Sequence, residues 1–127
     1  MPTMFVNIPV KDVNRSKQFF TELGFDHFGA TEDMASVIIS EATQVMLIAE
    51  PTFAMFAEKQ VGDPRENTQA ILVLGLDDQQ AVDGLLDKAL AAGATPVGEP
   101  TDAGGRYQRG FRDLDGHHWV ALCLIQP

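Results

Sequence analysis

Two adjacent histidines, His117 and His118, follow the turn pair Asp115-Gly116 in the stretch RDLDGHHWVALCL, residues 112–124. Imidazoles ligate divalent ions and carry protons near neutral pH, so metal or acid–base chemistry is first sought here. The residues after the turn read as a strand, in which neighbouring side chains point to opposite faces. The two rings therefore cannot readily clasp one ion, and two ligands are too few for a complete site. His118 remains as the candidate proton carrier, with an unperturbed pKa of about 6.5. Its plainer reading is a partly exposed histidine beside a turn, and a cluster of His118 with His27 or Glu50 is the metal alternative.

Other reactive arrangements are thin. Ser36 and Ser40 lack a sequence context that would activate a hydroxyl. Cys123, the only cysteine, lies in an apolar run and reads as a buried thiol. The segment AGGRYQRGFR, residues 103–112, is rich in glycine but lacks the spacing and following helix of a phosphate-binding loop. Catalysis without a metal would be acid–base, with His118 or Glu50 as the carrier.

The elements that position these residues follow a pattern that occurs twice. MFVNIPV (4–10) is a β-rich run that stops at Asp12, a good helix N-cap, and Ser16, Phe19, Phe20 and Leu23 keep helical spacing up to Gly24. Three short β-rich runs follow: FDHFGA, ASVIISE and QVMLIAE. The second half begins with AILVLGL (70–76), continues with Asp77 and Gln80 as a capping box ahead of Val82, Leu85, Leu86 and Ala89, and stops at Gly93. TPVGEP, YQRGFRD and HHWVALCL supply three more strands, the last two joined through Asp115-Gly116. Each half is strand, helix, strand, strand, strand, so one unit is used twice: modules 1–50 and 68–127, joined by a connector over 51–67. Phe53, Met55 and Phe56 in the connector have the spacing of one amphipathic turn.

Composition narrows the partners. With 127 residues and 45% apolar content, the chain suits a single domain over 1–127. No apolar run reaches the length of a membrane span and no secretory leader precedes the first strand, so a cytoplasmic protein is expected, with no membrane partner. The net charge of −9, with nine scattered Lys and Arg, argues against nucleic acid. Its field would favour a cationic ligand, and its plainer role is solubility.

The doubled pattern, with FVNIPVKDVNRSKQFFTELGF near the start and FRDLDGHHW near the end, resembles the vicinal oxygen chelate superfamily, which includes glyoxalases, bleomycin-resistance proteins, fosfomycin-resistance enzymes and extradiol dioxygenases. The resemblance implies an α+β fold of two βαβββ modules forming a cupped mixed sheet with helices on its convex side, and a homodimer. It also implies where metal-using members place ligands. In this chain those positions hold Phe5, Leu47, Ile71 and Val120, none with a lone pair for a cation, so neither metal nor cofactor is expected.

Counting in twos along the strands, the first module lends Phe5, Asn7, Ile38, Ser40 and Leu47 to a ligand-binding cleft. The second lends Ile71, Gln108, Arg112, His118 and Val120. Such a mostly apolar surface with a few hydrogen-bonding groups suits a small, partly hydrophobic molecule. Asn7, if buried, would need partners. The expected function is binding by sequestration, in the manner of bleomycin-resistance proteins. The alternative is a lyase, isomerase or dioxygenase-like enzyme, either metal-free and acid–base or with displaced metal ligands.

Overall fold

The computed structural model describes residues 2–124, so the outermost ends of the 1–127 span lie outside the described residues. The chain divides into two compact units, one up to Gly62 and one from Asp63. Each is a βαβββ module carrying a four-stranded mixed sheet, which is the expected α+β architecture.

In the first unit, β1 (Met4–Val10) leads through Asp12 into α1 (Val13–Glu22). The Asp12 carboxylate accepts the Arg15 backbone N–H at 3.0 Å, satisfying a donor that the first helical turn leaves unpaired. Three strands follow, β2 (Asp26–Phe28), β3 (Met34–Ser40) and β4 (Thr43–Ala49), and then α2 (Glu50–Ala57). They pair in the order β1-β4-β3-β2, with β1 parallel to β4 and the others antiparallel. Because paired residues share a sheet face, Ile8, Leu47 and Ala35 form one row and Val45 with Val37 the next. These rows are buried and meet α1, whose Val13, Ser16, Phe19 and Phe20 are buried in turn. Phe19 and Phe20 meet edge to face at 4.9 Å. The connector expected over 51–67 thus contains two turns of helix rather than one, and α2 packs against β1 and β4.

The second unit repeats the plan with β5 (Ile71–Gly75), α3 (Gln79–Ala91), β6 (Thr95–Ala103), β7 (Arg106–Arg112) and β8 (His118–Leu124). Its strand order is β5-β8-β7-β6, with β5 parallel to β8. The cap of α3 is Asp78 and not the expected Asp77: the Asp78 carboxylate accepts the Ala81 N–H at 2.8 Å, so the helix begins one residue later. Val82, Leu85, Leu86 and Ala89 of α3 are buried, as are Tyr107, Phe111, Trp119, Ala121 and Cys123 on the sheet face it covers. Phe111 and Trp119 are cross-strand partners, with rings parallel and centroids 6.3 Å apart.

A second tie joins α3 to β7. The Tyr107 hydroxyl donates to Asp83 at 2.6 Å, and Arg109 reaches the same carboxylate at 3.1 Å. The tyrosine bond is the main cause holding Asp83 below its ordinary 3.8, and the same bond is the main cause raising Tyr107 above 10.0.

The loop between β7 and β8 is organised by Asp113 rather than by a two-residue turn at Asp115-Gly116. Asp113 is only 8% exposed, and its carboxylate accepts the backbone N–H groups of Asp115 and His117 and the Trp119 indole N–H, each at 3.0 Å. Burial pushes this carboxyl upward, while His117 and the N–H donors pull it down. Gly116 follows at φ +98, and a Cβ there would lie 3.0 Å from the Arg65 backbone. That turn therefore requires glycine for both conformation and space.

Two expectations follow. Asp113→Ala leaves a buried indole N–H and two backbone N–H groups without their acceptor and should cost about 2–4 kcal/mol. Asp113→Asn keeps one acceptor oxygen and should lose roughly half of that. Urea unfolding read by the fluorescence of the single tryptophan measures both. Tyr107→Phe should act through pH. A carboxyl lowered on folding adds stability above its unfolded pKa and loses it as pH falls through the folded value. A phenol raised on folding adds stability below its unfolded pKa and loses it as pH rises through the folded value. The variant should therefore melt below wild type from about pH 5 to about pH 9 and converge with it toward either extreme; a gap independent of pH would refute the coupling.

Candidate functional site

In the second unit, the sheet face opposite α3 is a small grid. Ile71, His118 and Arg112 form one row across β5, β8 and β7. Val73, Val120 and Gly110 form the next, and Gly75, Leu122 and Gln108 the third. Ile71 and Val73 are 52% and 53% exposed, which leaves branched apolar side chains open beside polar ones. The imidazole of His118 leans over Gly110, where a Cβ would stand 3.4 Å from its Nε2. Arg112 is anchored through Nη1, which donates to the Thr68 hydroxyl at 3.2 Å and to the Gly116 carbonyl at 3.1 Å. Burial first, and the Arg112 charge second, hold His118 below its ordinary 6.5. It is therefore neutral at pH 7 and able to accept a proton or donate one hydrogen bond. His117 lies before the strand, its backbone tied to Asp113, so the two histidines do not meet on one face.

The first unit offers a comparable grid on the face opposite α1. Its rows are Phe5, Gln44, Ile38; then Asn7, Met46, Ser36; then Pro9, Ile48, Met34. Three expectations require correction. Leu47 belongs to the other face, 0% exposed, because the parallel register pairs it with Ile8. Ser40 is carried off this face by the irregularity between Ile38 and Ser40, pairs with Thr43, and accepts the Ala42 N–H in the turn. Asn7 is exposed rather than buried, so burial makes no demand for a partner.

Gln44 was missed. It stands beside Phe5, and the buried Ser36 hydroxyl donates to its Oε1. That bond orients the amide, since the opposite flip would leave the serine proton without an acceptor. The available signal was Gln44 itself, the one amide side chain in QVMLIA and of the same parity as Met46.

Phe5, Ile71 and Val120 are hydrocarbon, and the β4 residues that replace Leu47 on this face are Met46, Ile48 and Gln44, whose carbonyl oxygen is engaged by Ser36. Among the described residues no group of three or more His, Cys, Asp or Glu is placed to hold a metal. Nor is any helix among them long and apolar enough to cross a membrane.

The Glyoxalase/Bleomycin resistance protein/Dioxygenase superfamily model matches residues 4–121. Among solved structures, the hypothetical protein SA1046 from S. aureus is 32% identical, with a TM-score of 0.84 over 97% of this chain and 94% of its own. TnmS3, an antibiotic binding protein from Streptomyces sp. CB03234, is 21% identical, with a TM-score of 0.69 over 98% and 96%. FosX, a genomically encoded fosfomycin resistance protein from Listeria monocytogenes, is 13% identical, with a TM-score of 0.71 over 97% and 93%. At such identities the last two likenesses speak to fold alone. No curated protein matches the sequence. The match from residue 4 to residue 121, across two modules of identical strand order, makes the chain a member of the Glyoxalase/Bleomycin resistance protein/Dioxygenase superfamily.

Proposed function

We propose that the protein binds a small, partly hydrophobic molecule without a metal and sequesters it unaltered. The observation that carries this reading is the exposed Ile71 and Val73 in a grid whose polar members are Gln108, Arg112 and His118. Apolar area removed from water drives binding at about 25 cal/mol per Å², and the few polar groups set orientation. Phe5, Ile38, Gln44 and Asn7 form the counterpart on the first module. Hydrocarbon at Phe5, Ile71 and Val120 supports metal independence. The antibiotic binding described for TnmS3, and the fosfomycin resistance described for FosX, direct the choice of trial ligands. The proposal extends to one domain spanning both modules and to a cytoplasmic homodimer.

A neutral His118 on the same face favours one second reading, an acid–base lyase or isomerase acting on the bound molecule. The two readings part at the fate of the ligand.

A thermal-shift screen over antibiotics and metabolites, with and without chelator, tests both. A ligand present at about 100 times its Kd should stabilise by about 2.7 kcal/mol, a shift of several degrees for a domain of this size. The shift should persist in chelator, and the ligand should be recovered unchanged by mass spectrometry. A stoichiometric transition metal, lost on chelation together with binding, would overturn the proposal; a converted ligand would establish the enzyme.

A further inference from the structure

We infer that Arg112 is an oxyanion-recognition point, so that the ligand carries a carboxylate, phosphonate or related group beside its apolar part. The inference rests on the binding reading above and adds the ligand's charge. Two arginines on β7 show why. Arg109 and Arg112 lie three residues apart on a strand and so point to opposite faces. On the helix face, Arg109 is neutralised by Asp83 at 3.1 Å and has Asp87 at 3.8 Å. Arg112, on the other face, meets two neutral oxygens among the described residues, those of Thr68 and Gly116, and both through Nη1. Among the described residues no carboxylate pairs with it, although the chain has 18 acidic residues against nine Lys and Arg.

The surroundings are consistent with that. Every strand-paired position of this face on β5, β7 and β8 is non-acidic. On β6, Asp102 pairs with Tyr107 and so belongs to the helix face, and Glu99 lies in the unpaired irregularity between Val97 and Thr101. The guanidinium is also held in place before any ligand arrives. Its Gly116 acceptor belongs to the loop that Asp113 organises, where the Gly116 N–H donates to the Asp113 carbonyl at 3.1 Å. With Nη1 anchored, Nε and Nη2 remain for an oxyanion, and Arg is suited to two parallel bonds to such a group.

The net charge of −9 pulls the other way, toward a cation. Its influence is long-range and is screened beyond about 8 Å at physiological ionic strength, whereas a contact pair on a half-buried arginine is screened much less. At the site the local charge prevails. His118 lies in the same row as Arg112 and feels its charge, so neutralising Arg112 should be visible at that ring.

The test titrates the intact protein with benzoate, phenylphosphonate, benzamide and benzylammonium, reading affinity by calorimetry and the three histidines by NMR. The oxyanions should bind at least about tenfold tighter than benzamide. The carboxylate and phosphonate arms show which is preferred. Either should move the His118 titration to higher pH by offsetting the Arg112 charge. Arg112→Gln should weaken the oxyanions about ten- to a hundredfold and benzamide by much less. Equal affinity for charged and neutral probes, a preference that survives Arg112→Gln, or tightest binding of benzylammonium would overturn the inference. If the variant proves unstable, the wild-type probe series decides alone. A screening ligand that binds wild type and Arg112→Gln equally would overturn this inference and leave the binding reading standing. No binding by any probe or screening compound would overturn both.

Discussion

The alternation of side chains across paired strands is the constraint on which everything else in each module depends. A strand residue faces either the helix or the opposite side, and the partner strand's register decides which. The parallel pairs, β1 with β4 and β5 with β8, transmit that assignment from the module's first strand to its last. Once Ile8 is against α1, Leu47 must be as well, and Phe5 and Asn7 are turned away. Once Trp119 is beneath α3, His118 and Val120 are committed to the other face. The hydrophobic core and the candidate site are two sides of one sorting.

The two modules share this scaffold and differ in what they display. Both build a grid three strands wide opposite their helix. The first fills its grid with Phe5, Ile38, Met46 and Ile48 around an oriented amide; the second sets Arg112, His118 and Gln108 beside aliphatic side chains. The frame is the same in both modules and the residues displayed on one face differ, which is why family membership does not by itself name a ligand.

Much of this could be read from the chain, and the exceptions have physical causes. β1 was expected over 4–10 and occupies those residues, because β-rich MFVNIPV is bounded by a cap. The parity of β8 was readable because polar or aliphatic His118, Val120 and Leu122 alternate with Trp119, Ala121 and Cys123. In β4 the alternation is silent. Val45, Met46, Leu47 and Ile48 are all apolar, and both Leu47 and Ile48 are buried, so only pairing with β1 assigns their faces. The irregularity before Ser40 and the choice between adjacent Asp77 and Asp78 are similarly decided by hydrogen bonds that composition does not reveal. The role of Asp113 was hidden for another reason. Its three N–H donors include Trp119, six residues away, which no short-range turn rule anticipates.

Cys123 occupies a particular place in that sorting. It is the lone thiol of the chain, it sits on the helix face of β8 next in parity to Trp119 and Ala121, and it is buried. A water-borne alkylating reagent can reach it only when the second module opens, because the thiolate must be exposed to react. The rate of its modification is therefore a clock for the breathing of that one module, read from the native protein without a dye or a denaturant.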